Sequence, residues 1–341
     1  MRCALQHTAI LKDKRKKADG FISTACKGSI VKPLYLVTGG AGFIGSHICE
    51  ELVRQGHAVR VFDNLSSGYR RNIEHLGGSV EFVEGDIRDT DALDRACRGV
   101  TRIFHEAALV SVFDSVEKPA EANDINITGT LNVMLAAKKN SAQRVVLASS
   151  AAVYGNDPVL PKVETMLPQP ESPYAVSKIT GEYYLRVFAL LHGVETVSLR
   201  YFNVFGPRQD PGSFYSGVIS RFTDDVKNSR TPTVFGDGLQ SRDFVFVRDV
   251  VQGNMLAMHS GRVGQGEVFN IASGKITTLM DLLSVIGRLS GTAVAPVHRE
   301  ARAGDIRHSA ADISLAAETL GYKPEYNLQS GLSELWKWLN R

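Results

Sequence analysis

One stretch limits the fold more than any other. Leu34-Tyr-Leu-Val-Thr-Gly-Gly-Ala-Gly-Phe-Ile-Gly45 is an apolar run that enters Gly39-x-x-Gly42-x-x-Gly45 and leaves as an apolar helical pattern. Gly39 lets the chain reverse tightly, Gly42 lets the backbone approach a pyrophosphate, and Gly45 lets the new helix pack on the strand. The helix start then presents N–H groups and a positive dipole end to phosphates. Glycines also end strands for structural reasons alone. Here the strand before and the apolar helix after make a dinucleotide the expected guest.

The pattern continues in the same rhythm. A helix over about 43–55 leads to Gly56-His-Ala-Val-Arg-Val-Phe-Asp63, a strand ending in an acid 18 positions beyond Gly45. That is near the offset of the carboxylate that accepts both ribose hydroxyls of an adenosine; it would repel a 2′-phosphate, so NAD is expected over NADP. Further strands are expected at 80–86, 101–108, 144–150 and 196–202, with helices at 90–98, 120–139 and 173–191. Such alternation argues for a parallel sheet covered on both faces, a Rossmann-type, doubly wound α/β fold. Ligands then bind beyond the carboxyl ends of the strands, where Asp63, Asp86, Ser149 and Ser150 fall. Beyond Asn203, glycines and prolines punctuate shorter elements. Residues 244–247 and 267–271 read as strands returning to the main sheet. The expected division is 33–202 plus 241–273 for the dinucleotide domain, and 203–240 plus 274–341 for a smaller α/β substrate lobe.

Charge excludes some functions. The net +3 comes from residues 1–32, which hold eight Lys/Arg against two acids; the rest has 31 basic against 34 acidic residues. A nucleic-acid-binding face is not expected on such a body, and the basic segment with Lys12-Asp-Lys-Arg-Lys-Lys17 reads as a solvated, flexible extension. No run of about 18 apolar residues suggests a membrane span, and no signal peptide fits. Cys3, Cys26, Cys49 and Cys97 are scattered, as reduced thiols of a cytoplasmic protein would be, without a disulfide frame or metal site.

The chemistry centres on Tyr174-Ala-Val-Ser-Lys178. Positions i and i+4 share a helix face, so the ammonium is expected beside the phenol. A nearby cation, reinforced by a positive nicotinamide, lowers a tyrosine toward neutrality and makes it a base. By itself Tyr-x-x-x-Lys is common; its weight comes from following a nucleotide-binding half with Ser149-Ser150 at a strand end.

With these residues in place the chain resembles the extended short-chain dehydrogenase/reductase superfamily, and within it the nucleotide-sugar 4-epimerases. The likeness covers about residues 33–341. It is carried by Thr38-Gly-Gly-Ala-Gly-Phe-Ile-Gly45, Asp63-Asn64, Gly85-Asp86-Ile87, His105-Glu-Ala-Ala108, Asn126-Ile-Thr-Gly-Thr130, Ser149-Ser-Ala-Ala-Val-Tyr-Gly155, Tyr174 with Lys178, Arg200-Tyr-Phe-Asn-Val-Phe-Gly-Pro207, Ser241-Arg-Asp243 and Arg302-Ala-Gly-Asp305. The resemblance implies that Tyr174 takes the proton of a sugar 4-hydroxyl, Ser150 bonds the same oxygen, and Lys178 holds the nicotinamide ribose. It implies NAD contacts at Gly39, Gly42, Phe43, Ile44, Gly45, Asp63, Asn64, Asp86, Ile87, Ala108, Asn126, Tyr174, Lys178 and Phe202. Substrate contacts are implied at Ser111, Asn203, Arg242, Arg302, Asp305 and Ser309, and a homodimer is implied as well.

Two departures narrow the reaction. Dehydratases of the superfamily carry Asp-Glu where this chain has Ala151 and Ala152, and related decarboxylases tend to keep the glutamate. Seven positions beyond Arg302, epimerases restricted to plain hexoses resemble one another in a bulky tyrosine; here Ser309 leaves room for an N-acetyl group. The expected substrates are therefore UDP-GlcNAc and UDP-GalNAc, with UDP-Glc and UDP-Gal also admitted, since a lost packing contact costs only about 1–3 kcal/mol. A UDP-uronate 4-epimerase and a non-catalytic nucleotide sensor are the alternatives. His105 and His308 lack partners at metal spacing and are expected to be packed or hydrogen-bonded.

Overall fold

The computed structural model describes residues 33–210, 217–301 and 307–341; the basic segment 1–32, with Cys3 and Cys26, lies outside the described residues. The first half alternates as expected: β1 (Leu34–Thr38), α1 (Phe43–Arg54), β2 (Ala58–Asp63), β3 (Val80–Glu84), α2 (Thr90–Cys97), β4 (Val100–His105), α3 (Val112–Glu117), α4 (Pro119–Asn123), α5 (Gly129–Lys139), β5 (Arg144–Ser150), α6 (Pro173–His192) and β6 (Glu195–Tyr201). Then come β7 (Asn203–Phe205), α7 (Val218–Lys227), β8 (Thr233–Phe235), β9 (Ser241–Phe246), α8 (Val247–His259), β10 (Gln265–Ile271), β11 (Ile276–Thr278), α9 (Leu279–Ser290), β12 (Val297–Arg299), α10 (Ser314–Leu320) and α11 (Leu328–Leu339).

The main sheet has seven strands in the order β10-β6-β5-β4-β1-β2-β3, and every neighbouring pair is parallel. Burial on both faces follows from the strand period of two. Tyr35 and Val37 of β1 pack with Ile48, Cys49 and Leu52 of α1 and Val250 of α8, whereas Leu36 packs with Leu93 of α2 and Val133 of α5. The strand order reverses between β1 and β4, which opens a crevice at their carboxyl ends.

The helix expected at 120–139 forms with one adjustment. Asp124–Thr128 make a π turn between α4 and α5, a wider turn of the kind often found at functional sites. At the start of β5, Arg144 donates to the carbonyls of Ala257, Met258, Ser260 and Val263, and so fixes the chain that leads from α8 into β10.

One strand goes elsewhere than expected. The run 267–271 joins the main sheet as β10, in register with β6, but the run around Phe244 does not return to that sheet. As β9 it pairs in parallel with β7 and antiparallel with β11. Phe244 and Phe246 are buried there with Phe205, Leu279, Leu282 and Leu332, in a separate core under the smaller sheets. A short apolar run fits any apolar surface, and its pattern does not say which.

Candidate active site at the carboxyl edge of the sheet

The glycine turn is shaped by contacts no side chain could share. Gly39 has φ +67°, and its N–H donates to the Phe62 carbonyl at 2.9 Å. A Cβ there would lie 2.7 Å from the Ala107 nitrogen, and one on Gly45 only 2.3 Å from the Gly39 oxygen. Gly42 occupies the N-cap of the 12-residue α1 and brings no side chain to its first turn. Phe43 and Ile44 lead that turn and pack partly against the smaller core. At the end of β2, Asp63 accepts the Ala41 N–H at 2.9 Å and the Leu65 N–H at 2.8 Å. Burial raises its carboxyl above the usual range, and the two N–H bonds oppose that rise.

Neighbouring residues frame the rest of the crevice. Asn64 donates to Asp86 at 2.9 Å, and hydrogen bonds from Arg88 hold the Asp86 carboxyl well below the usual range. Ile87 is buried, and its Cδ1 would stand 2.5 Å from a Cβ on Gly129, so the glycine at the start of α5 lets the Ile87 side chain pack close. The π turn places Asn126 beneath the loop after β4. Its side chain takes the Leu109 N–H at 2.8 Å and donates to the Leu109 carbonyl at 2.9 Å and to Ser177 at 3.0 Å. Ala108 is half-buried at that strand end. Ser111 uses its oxygen to cap α3, accepting the Asp114 N–H at 2.9 Å.

Helix α6 carries the reactive groups. Ser172 caps it by accepting the Ala175 N–H, with Pro173 in the first turn, an arrangement that suits proline's missing donor. Ser150 is near enough to the Tyr174 hydroxyl to lower its proton affinity, and its oxygen accepts the Ala152 N–H at 3.1 Å. Lys178 is buried; its ammonium donates to the Ala148 carbonyl at 2.8 Å and stands 5.7 Å from the centre of the Tyr174 ring. The structure thus brings Ser150, Tyr174 and Lys178 together. It corrects the expected acidity, however. Among protein groups alone burial dominates and raises Tyr174, with Ser150 lowering it and Glu106 raising it further. Burial also brings Lys178 down to about 8, opposed by Glu106.

Two networks under the site have no counterpart in the sequence reading. Ser149, at the same strand end as Ser150, turns inward and donates to Glu182 at 2.5 Å, and Arg200 grips Glu182 with two bonds of 2.9 and 2.7 Å. Glu182 follows Tyr174 and Lys178 at successive i+4 steps, so an acid on an otherwise buried helix stripe was the available signal. The second network joins Glu106 to Tyr201 at 3.0 Å, and Tyr201 to Asn254.

On the other side of the crevice, Phe202 is buried beside the Tyr154 ring. Asn203 donates to the Asp243 carbonyl at 3.2 Å, and Arg242 to the Ser241 carbonyl at 2.9 Å. The half-buried Ser309 donates its N–H to Ser241 at 3.0 Å, next to His308, which bonds the Ser241 hydroxyl. Arg302 and Asp305 lie outside the described residues. His105 is buried between Thr38 at 2.8 Å and Thr130 at 3.0 Å, as a packed, hydrogen-bonded histidine should be, and burial brings it down to about 3. A concavity of about 1550 Å³ opens elsewhere, behind α1, lined by His47, Arg208, Arg248 and Trp338 among others; Tyr174 and Lys178 are not part of it.

Residues 35–272 match the family described as the NAD dependent epimerase/dehydratase family. A relative from Methanocaldococcus jannaschii, described as a putative UDP-glucose 4-epimerase, is 40% identical over 90% of this chain and 98% of its own length. A UDP-N-acetylglucosamine 4-epimerase from Methanobrevibacter ruminantium, solved with UDP-N-acetylmuramic acid, is 38% identical with a TM-score of 0.86, covering 91% of this chain and 98% of that one. The UDP-glucose 4-epimerase of Thermus thermophilus, solved with NAD, is 36% identical with a TM-score of 0.82, covering 90% and 99%.

Proposed function

The chain belongs to the NAD dependent epimerase/dehydratase family, and from that premise we propose that it is an NAD-dependent UDP-sugar 4-epimerase whose proton-handling groups are Tyr174, Ser150 and Lys178. The observation that carries this reading is their convergence: the Tyr174 hydroxyl meets Ser150, and Lys178 lies beneath the same helix turn, at the strand ends beside the glycine turn. The turn fits NAD, because Gly39 and Gly45 leave no room for a Cβ and Gly42 leaves the first turn of α1 open to a pyrophosphate. Asp63 is held by two N–H groups where an adenosine ribose would be received.

NAD, when bound beside the glycine turn, would supply the hydride acceptor, and in its reduced form the hydride donor, for the sugar C4. The chain's own residues do the rest. Tyr174 accepts the 4-hydroxyl proton, Ser150 steadies the same oxygen, and Lys178 orients the cofactor ribose while its charge favours the ionised phenol. Ala151 and Ala152 offer no acid for eliminating water, so the 4-keto sugar has one productive fate, reduction back to an alcohol. Asn203, Arg242 and Arg302 are assigned to the nucleoside diphosphate, where arginine's fork of donors suits phosphate; Ser111 and Asp305 are assigned to the sugar side. A firm grip on the diphosphate with a loose one on the hexose lets the keto sugar turn over. Residues 203–240 and 274–341 are taken as the lobe that binds the nucleotide sugar.

The sugar preference rests on Ser309. Its small side chain supports N-acetylhexosamines, with plain hexoses also admitted. Homodimer formation is supported by an apolar stripe on α6, where Val176, Tyr183, Val187 and Leu190 are exposed at helical spacing. A cytoplasmic location is supported by Cys49 and Cys97, both buried and unpaired. Among the described residues no helix is long and apolar enough to cross a membrane.

The test is to incubate the protein, without added cofactor, with each UDP-sugar and to follow the C4 epimer by NMR. UDP-GlcNAc should equilibrate with UDP-GalNAc. Release of NADH with no epimer from any UDP-sugar would overturn the proposal. Tyr174→Phe should lower turnover by about 10²–10⁴-fold while NAD stays bound; a nucleotide sensor would be indifferent to that change.

A further inference from the structure

We propose that Arg208 and Tyr69 form a clamp that retains NAD, by tying the loop after β2 to the chain that leaves β7. The proposal rests on the NAD-dependent reading given above. Neither residue is placed at the reacting atoms; both are positioning residues. The loop is where it can act on the cofactor. Residues 64–69 have no regular secondary structure, and they run from Asp63, the carboxylate assigned to the adenosine ribose, back to the glycine turn. The Tyr69 N–H and the Asn72 side chain both donate to the Ala41 carbonyl of that turn, at 3.0 and 2.8 Å. Gly68 lies so close that a Cβ on it would stand 2.9 Å from the Ala41 carbonyl carbon and 3.1 Å from Asp63 Oδ1.

The other side of this loop is held from a distant part of the chain. Strand β7 carries Asn203, assigned to the nucleotide sugar, and Arg208 follows shortly after it. Arg208 has φ +70°, a left-handed conformation uncommon for a residue with a side chain. Such a conformation persists where the surroundings over-determine it. Here the guanidinium is nearly buried and donates to the Asn72 carbonyl at 3.0 Å and to Glu50 and His47 of α1. His47 completes the joint. It is buried and neutral, brought down to about 3 by burial and then by the Arg208 charge. It donates through Nε2 to the Pro207 carbonyl at 2.9 Å and accepts from Arg208 at Nδ1. Asp210 then accepts the Tyr69 hydroxyl at 2.8 Å. Irregular loops open locally at low free energy, and loop opening can set the rate at which a bound molecule leaves. A loop tied on both sides opens less often, so the cofactor stays in place between oxidation and re-reduction of one sugar.

The test measures how fast the cofactor exchanges. Holoprotein loaded with NAD is diluted into deuterium-labelled NAD, and the nucleotide that stays with the protein is followed by mass spectrometry. Arg208→Gln, which removes charged bonds to the loop and to α1, should exchange about tenfold faster or more, and Tyr69→Phe, which removes one exposed bond, about threefold faster. Both variants should need more NAD for half-maximal turnover while kcat at saturating NAD holds, a split that a general loosening of the fold would not produce. Tyr69 is exposed, so Tyr69→Phe gives the answer even where Arg208→Gln fails to fold. Exchange in Tyr69→Phe at the rate of the unaltered protein, or a fall in kcat at saturating NAD with exchange unchanged, would overturn the clamp. An unaltered protein that binds no NAD would instead overturn the cofactor reading on which the clamp rests.

Discussion

The glycine turn after β1 and the Tyr174–Lys178 face of α6 serve opposite ends of one expected ligand, by opposite means. The turn works through the absence of side chains. Its fit is set by backbone atoms that stand closer than a Cβ would allow, and no ionisation state enters. The α6 face works through charge states. Lys178, Glu106 and Tyr174 are all displaced from their ordinary proton affinities by burial, and what they do depends on which of them holds a proton. Geometry of the first kind is robust to pH and intolerant of added volume. Chemistry of the second kind tolerates volume better and is sensitive to a single charge.

Three substitutions probe that contrast, beginning with the largest expected effect. Gly45→Ala forces a methyl against the Gly39 carbonyl, where no flexible side chain can yield. The purified protein should carry no NAD when its nucleotide content is extracted, with a loss of about 1–3 kcal/mol in unfolding free energy; retention of NAD would show that shape is less decisive than argued. Glu182→Gln removes the charge that faces Arg200 beneath the reactive helix. Leaving a buried arginine without its counter-charge should cost about 3 kcal/mol in denaturant unfolding, while NAD content stays normal because the turn is untouched. If NAD were lost as well, the two regions would not be separable. Ser309→Tyr applies added volume on the sugar side. Discrimination against the N-acetyl substrate should rise by about 1–3 kcal/mol, read as the ratio of kcat/KM for UDP-GlcNAc and UDP-Glc, with no change in pH profile.

The same contrast explains what could be read from residues alone. The doubly wound sheet follows from alternation of strand and helix periods, and the turn from three glycines between them, because both are patterns of local shape. Asp63 could be placed by counting from Gly45, and Tyr174 and Lys178 by one helical step. The acidity of Tyr174 could not be placed that way. It depends on how deeply the helix is buried and on a carboxylate from β4, neither of which is local to Tyr-x-x-x-Lys. Glu106 sat inside a quoted motif without a role, since only the fold brings the Tyr201 hydroxyl of β6 to its carboxylate. Ser149 and Ser150 are neighbours in sequence with different partners on α6, one in the Glu182 network and one toward Tyr174. The misplaced β9 has a similar cause: its apolar run was visible, but the surface waiting for it, built from α9 and α11, lies later in the chain.

That β10 closes the edge of the main sheet has a consequence for how the chain is made. β10 pairs only with β6, and the whole excursion from Phe202 through Gly264 separates the two. During synthesis β6 therefore presents an unpaired edge until Gln265–Ile271 has emerged. Open strand edges recruit other chains. A ribosome that stalls short of residue 265 would release a chain with the β6 edge open rather than a smaller working protein, so the pairing that closes this edge comes late in translation.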